Sequence, residues 1–481
     1  MAPTRRQRPR QRQWQQQPQR QLTESERLFP AILSQDVDHI TELLNEGADV
    51  NVCSQSPMMR GKTPLHLALS WGHEDVVELL LRKGANATAK DEFGVTPFHT
   101  VAAVGLIDVA RILLNHAGPS NNDNENQHDG RLSMLQEQDN HGRTPLHQAC
   151  ARSQEALIVF LFRQLSAASI SALVGVRTNK GLTALHCAVT NSNENIVRLL
   201  LDNMDVPLLL NAQDDEGCTA IHCAISFGHD QCLGLLLEAA VQSNVSVFYI
   251  QTNRGDTPLH CAAHHNHVSM AGMLLEKEWD HNVRNTNNGD NDNDNDDDNA
   301  DTNSINMQDK DGRTPLHTAI EFHGKTEMLQ LLLRNGASLV VRQQDGNTVL
   351  HTAAISGVPQ HVSTLLLHLQ QESGIPDHDR QQIVNSTNND GNTALHLACS
   401  RDVVGAGSTY DIIEQLLRHG ADLYDCTNEA NRTVLQQVYS SGRRPRDIFL
   451  LLERHVGQRW KHYTDIVEAL VGVGCFDRAL G

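Results

Sequence analysis

Residues 61–94 read GKTPLHLALSWGHEDVVELLLRKGANATAKDEFG, and this stretch decides the fold. Thr63 stands where it can cap a short helix, and Pro64 occupies the first helical position, where a missing N–H removes no bond. Leu65, Leu67, Ala68 and Leu69 form an apolar stripe over roughly two turns. Gly72 supplies a left-handed stop, and Asp75 opens the next helix. Val76, Val77, Leu79, Leu80 and Leu81 carry that second helix, Lys83 lies in its last turn, and Gly84 ends it. The polar residues that follow include a turn framed by Asp91 and Gly94. The unit is helix, turn, helix, extended turn. Neither helix is long enough to persist alone in water, so each unit needs neighbours to cover its apolar faces.

The chain supplies those neighbours. A Thr, a small residue or Pro, an apolar residue and a His recur nine times, beginning at Thr63, Thr96, Thr144, Thr183, Thr219, Thr257, Thr314, Thr348 and Thr393. Two degenerate copies flank them. Residues 26–52 keep the second helix and the Gly47-Ala48-Asp49-Val50-Asn51 close without the tetrapeptide, and Thr433-Val434-Leu435-Gln436 carries Gln in place of His. Atypical end copies are expected of a tandem array, whose two ends must face water. The pattern predicts an all-α solenoid of about eleven helix-turn-helix units with hairpin-like turns.

These residues resemble the ankyrin repeat family. The likeness rests on Thr63-Pro64-Leu65-His66-Leu67-Ala68, on the period of 33 residues between Thr63 and Thr96, and on closes such as Leu79-Leu80-Leu81…Gly84-Ala85 and Leu331-Leu332-Leu333…Gly336-Ala337. The resemblance implies protein binding through hairpin tips and the neighbouring short-helix face, which together line a concave groove. The residues it assigns to partner contact are Asp91, Glu92, Phe93, Asn140, His141, Asn179, Lys180, Asp215, Glu216, Asn253, Arg254, Lys310, Asp311, Gln343, Gln344, Asn389 and Asp390. It also implies that the nine motif histidines are structural.

The spacing departs from one period in places. The excess before Thr144 falls in residues 118–138, a polar stretch expected to be a flexible loop, and the largest falls before Thr314. That second insert, near 280–305, contains NTNNGDNDNDNDDDNADTNS at 285–304, which has nothing to bury and should be disordered. Its alternating Asp and Asn mimic calcium-ligand spacing, but the Gly and Glu that an EF-hand loop needs are not in place. Smaller excesses near 165–176, 240–250, 369–386 and 402–409 should bulge between helices. An Arg/Gln-rich tail over 1–24, the array over 25–455 and a helical cap over 456–481 complete the expected organisation.

The formal charge of the chain is −19, whereas residues 1–21 hold six arginines and no acid, so the remainder is close to −25. An acidic body argues against nucleic acid as the main partner and against an anionic membrane surface. No run of 18 apolar residues exists to span a bilayer. The tail is a candidate nuclear-import or RNA-contact segment beside the simpler reading of a solvated end. The expected location is the cytoplasm, with the nucleus as a second address, and the expected state is a monomer. Half of the ten cysteines fall in two fixed slots of the repeat, Cys187, Cys223 and Cys261 directly after the motif His and Cys150 and Cys399 three residues after it. They read as small buried side chains, and no C-x-x-C pair suggests zinc. The cluster His260, Cys261, His264, His265 and His267 is the best zinc candidate, yet helical geometry spreads it over several faces. No phosphate-loop, zinc-protease or nucleophile-elbow motif occurs. The expected function is a non-catalytic scaffold or adaptor without a cofactor. The alternative is a regulatory or targeting subunit of an enzyme complex, with nuclear or RNA contact through the tail.

Overall fold

The computed structural model describes residues 23–117, 130–203, 205–287, 303–372, 374–400, 406–423, 426–434 and 436. The arginine tail up to residue 22, the Asp/Asn tract over 288–302 and the expected C-terminal cap at 456–481 lie outside the described residues. All regular elements among them are helices, 24 α-helices and two short 3-10 turns. The chain divides into two compact units, residues 1–169 and 170–481, each a stack of the predicted helix pairs.

The type copy forms as its sequence dictates. Pro64–Trp71 makes the short helix, Gly72 stops it at φ 71°, and Glu74–Arg82 makes the second. The second helix starts one residue before Asp75, and both Glu74 and Asp75 sit in its first turn, where the helix dipole favours them. Leu65, Ala68 and Leu69 of the short helix, with Val76, Val77, Leu80 and Leu81 of the second, are buried. Each of the larger side chains contributes roughly 1.5–3 kcal/mol through burial. The same positions recur downstream, for example Leu316, Ala319 and Ile320 with Met328, Leu329, Leu332 and Leu333.

Both degenerate ends keep the cap by other means. At the first, Thr23 Oγ1 accepts from Glu26 N–H at 3.2 Å while Glu26 Oε2 accepts from Thr23 N–H at 3.0 Å. At the last, Thr433 Oγ1 accepts from Gln436 N–H at 3.4 Å and Gln436 Oε1 accepts from Thr433 N–H at 3.0 Å. These are reciprocal capping boxes, in which a side chain at the third helical position closes back on the cap residue.

Several inserts are more regular than expected. The polar stretch 118–138 was expected to be a loop throughout, but Gly130–Gln136 is a helix with Met134 and Leu135 buried. Those two apolar residues, isolated among polar ones, give the segment a face to dock. Within the insert expected near 280–305, the helix Val268–Asn287 covers the first residues, and Ser304 and Ile305 are buried near its far end. Buried Glu278 joins the two sides, accepting from Ser304 N–H at 2.8 Å and from Ser304 Oγ at 2.5 Å. Two of the smaller excesses become extra helices, Ala167–Val174 and Asp377–Val384, and a third lengthens Asp230–Gln242. Near 402–409, the helix Ala406–Arg418 already includes the second half of the stretch expected to separate two helices.

Candidate partner-binding surface

The motif histidines form the scaffold behind any binding surface. In the copy beginning at Thr257, His260 Nδ1 accepts from Thr257 N–H at 3.2 Å, and the Thr257 hydroxyl lies 2.8 Å from the same nitrogen. Because Nδ1 accepts, Nε2 carries the proton, and it donates to Arg313 O of the next copy at 2.9 Å. His66, His99, His186, His351 and His396 reach forward in the same way to Val95, Arg143, Cys218, Asn392 and Arg432. All nine motif histidines are buried. Desolvation on burial is the largest influence on His66, His99, His186, His260, His351 and His396 and holds them below their ordinary value. It pushes His222 and His317 down to about 4. A buried, neutral imidazole tied to its cap through Nδ1 is a strut of the frame, and in six copies its Nε2 is engaged as well.

The hairpin tips are tied to one another by backbone bonds. In the first unit, Glu92 N–H donates to Arg60 O at 3.1 Å and Asn140 N–H to Phe93 O at 2.9 Å. In the second, Asp215, Asn253, Lys310, Gln344, Asn389 and Glu429 donate in turn to Lys180, Glu216, Arg254, Asp311, Asp345 and Asp390. This ladder explains the glycine that follows each tip. Gly217 has φ +79°, and a Cβ there would lie 2.5 Å from Asn253 N.

The ladder divides the predicted partner contacts into two groups. Asp91 is buried, and its carboxylate accepts from Phe93 and Val95 N–H at 2.9 Å, so it builds the turn. This removes it from the set of free tip residues. Asn140, Asn253 and Asn389 are exposed but spend an amide N–H on the neighbouring tip, at Glu92 O (2.9 Å), Asp215 O (2.7 Å) and Gln344 O (2.9 Å). Gln344 does the same towards Lys310 O, and Gln343 is only half-buried. Asp311 pairs with Arg313, whose guanidinium also holds Asp309 and Glu321. Glu92, Phe93, His141, Asn179, Lys180, Asp215, Glu216, Arg254, Lys310 and Asp390 present exposed side chains. Arg60 stacks its guanidinium 5.2 Å from the Phe93 ring, which keeps that aromatic at the surface beside a cation.

The sequence reading missed a second exposed set at the ends of the short helices. Trp71 and Val104 occupy it in the first unit, at 62% and 46% exposure. Phe227, Phe322 and Ile355 occupy it in the second. The signal was available, since Trp71, Val104, Phe227 and Phe322 each stand eight residues after the cap Thr, but a large apolar residue in an apolar helix reads as core.

The remaining candidates resolve chemically. No disulfide joins the nine described cysteines. Burial raises the thiols of Cys218, Cys223 and Cys399 to about 11, about 12 and about 12, which leaves them protonated and poorly nucleophilic. Among the described residues, no group of three or more His, Cys, Asp or Glu side chains is placed to hold a metal ion. His260 is engaged in its cap, whereas His264, His265 and His267 lie outside it. No helix among the described residues is long and apolar enough to cross a membrane.

Comparison with known proteins agrees with this architecture. Residues 28–127, 124–209, 163–247, 206–285 and 295–379 match the family model for ankyrin repeats in sets of three copies, and 390–429 match that for a single ankyrin repeat. The chain is 34% identical to human (Homo sapiens) Rabankyrin-5 over 191 residues, which is 33% of this chain and 16% of that protein. It is 28% identical to chicken (Gallus gallus) Inversin over 196 residues, 36% of this chain and 17% of Inversin. Over 80 residues it is 41% identical to the human 2-5A-dependent ribonuclease, 17% of this chain and 10% of that enzyme. The chain thus spans less than a fifth of the length of each relative. With capped helix pairs, bonded hairpin tips and matching family models over most of its length, the chain belongs to the ankyrin repeat family.

Proposed function

We propose that this chain is a non-catalytic scaffold or adaptor that captures a protein partner along its hairpin tips and short-helix ends. The observation that carries this reading is the pairing of a rigid frame with an irregular surface. The caps and the tip ladder recur almost unchanged from copy to copy, whereas the exposed side chains differ in every copy. A surface held by backbone bonds loses little entropy on binding, which favours extended protein contacts over a single deep pocket. Ankyrin repeats as a family mediate protein–protein interaction, in keeping with this assignment.

The test is paired capture with mass-spectrometric identification, using the full chain and a variant carrying Glu92→Ser, Lys180→Ser, Glu216→Ser, Arg254→Ser and Lys310→Ser. These exposed side chains leave the backbone ladder intact. A specific partner lost from the variant, with the melting curve unchanged, supports the proposal. Identical capture by both chains refutes the tip assignment.

A further inference from the structure

The helix Val268–Asn287 is longer than the second helices on either side of it. It has 20 residues, whereas Asp230–Gln242 and Thr326–Arg334 have 13 and 9. All three start at nearly the same distance from their cap Thr, so the last two turns of Val268–Asn287 continue past both neighbours. One side of this extension is anchored. Glu278 accepts from Ser304 N–H at 2.8 Å, Asn282 Nδ2 donates to the Tyr249 hydroxyl at 3.4 Å, and the His281 ring lies 5.7 Å from Phe248. Helical spacing puts positions 276, 279 and 283 on another face. There Glu276 is exposed, and Trp279 and Val283 are 72% and 40% exposed. Other second helices turn polar side chains outward, such as Glu74, Glu78 and Arg82, or Glu327, Gln330 and Arg334. An exposed Trp one turn from an exposed Val, on a helix fixed along its other side, is the kind of anchor that interfaces use.

The charges around Trp279 select the occupant. Glu276 forms no ion pair among the described residues. The two cations of this stretch are engaged, Lys277 with Asp280 at 3.4 Å and Arg284 with Val241 O at 3.3 Å. In sequence the helix leads directly into residues 288–302, which hold seven aspartates and no cation. The exposed indole is therefore set among acids, and an arginine suits both features. Its guanidinium is attracted to the face of a Trp ring and to carboxylates, while its aliphatic stem packs on apolar surface. The chain itself carries a segment of this chemistry. Arg5, Arg6, Arg8, Arg10, Arg12 and Arg20 lie in residues 1–21, which contain no acid.

We propose that the arginine-rich segment of a second copy docks on this helix face, with a guanidinium over Trp279, a second beside Glu276 and an arginine stem against Val283. Each copy holds both halves of the contact, so the association is heterologous and joins copies head to tail. A single helix face buries less area than a stable dimer needs, so the contact forms in concentrated solution and at low salt. It uses an outer helix rather than the hairpin tips or the short-helix ends, and its failure leaves the scaffold reading untouched.

The experiment is analytical ultracentrifugation of the full chain over a concentration series at about 50 mM and about 300 mM salt. The average mass should rise with concentration at the lower salt and stay at that of one chain at the higher. Two full-length variants should each abolish the rise with an unchanged circular dichroism spectrum. One is Trp279→Gln/Val283→Gln, which alters exposed side chains with a good helix former. The other replaces the six tail arginines with Gln. Mixed together, the two variants should form one-to-one pairs and nothing larger, because one of the two possible contacts remains. A mass that does not change with concentration, association that survives in either variant, or a mixture that fails to pair overturns the proposal. A labelled peptide of residues 1–22 separates the other occupants by fluorescence anisotropy. It should bind Trp279→Gln/Val283→Gln at least about tenfold more weakly than the unaltered chain. Undiminished binding would assign the peptide to the aspartates alone. Binding confined to the tail variant, at chain concentrations too low for association, would assign the site to the same molecule's tail. Either result overturns the second-copy contact.

Discussion

The buried motif histidines predict a specific loss of stability in mild acid. His222 and His317 are each held at about 4, against about 6.5 for an exposed imidazole in the unfolded chain. A group whose folded value is depressed binds its proton more readily when unfolded, so lowering the pH favours unfolding. The stabilisation is complete above about pH 6.5 and disappears progressively down to about pH 4. At pH 5.0 each of these two histidines has lost roughly 2 kcal/mol, or about 4 kcal/mol together. Six further motif histidines with depressed values push in the same direction. Asp139 does not offset this. Its own burial is outweighed by hydrogen bonds from Arg143 and His141, so its depressed value acts only well below this range. The measurement is urea unfolding of the full chain followed by circular dichroism at pH 7.5 and pH 5.0. The free energy of the transition should fall by at least about 4 kcal/mol between them. In His222→Gln/His317→Gln, where Gln can close the cap as Gln436 does at the end of the array, most of that amount should be missing from the difference. Equal stability at both pH values, or an undiminished loss in the double variant, would refute the reasoning.

Two further predictions address the frame. His260→Ala strands Thr257 N–H and Arg313 O in a buried site and should lower stability by about 3–5 kcal/mol, whereas His260→Gln should cost about half as much; denaturant midpoints distinguish them. Gly217→Ala combines a positive φ with a clash against Asn253 N, so it should destabilise by about 2 kcal/mol or more and loosen amide protection at Asn253, read by hydrogen exchange.

The cap tetrapeptide made the fold legible because its role is local. Thr, Pro, an apolar residue and His within four positions fix a helix start through their own backbone, and Gly72 or Gly84 fixes a stop, so helix pairs and their period follow from adjacent residues. The same locality hid the substitutes at the ends, where Glu26 and Gln436 close the box without histidine. The inserts were misjudged for a related reason. Met134 and Leu135 are too few to signal a helix, and they become decisive only when a neighbouring copy covers them.

The candidate surface was legible in part. Tip positions could be counted from the glycines, but their availability could not. Asp91 differs from Glu92 only in where its carboxylate falls within the turn, and Asn140, Asn253, Gln344 and Asn389 are braces because another copy's carbonyl lies within reach. The packing of His264 on Phe322 needed residues from copies tens of positions apart to be brought side by side. The sequence by itself determined the repeating unit, its caps and its stops, since those depend on interactions spanning three or four residues. Only the tertiary structure decided which side chains are occupied and which face outward, because that depends on how one copy stacks against the next.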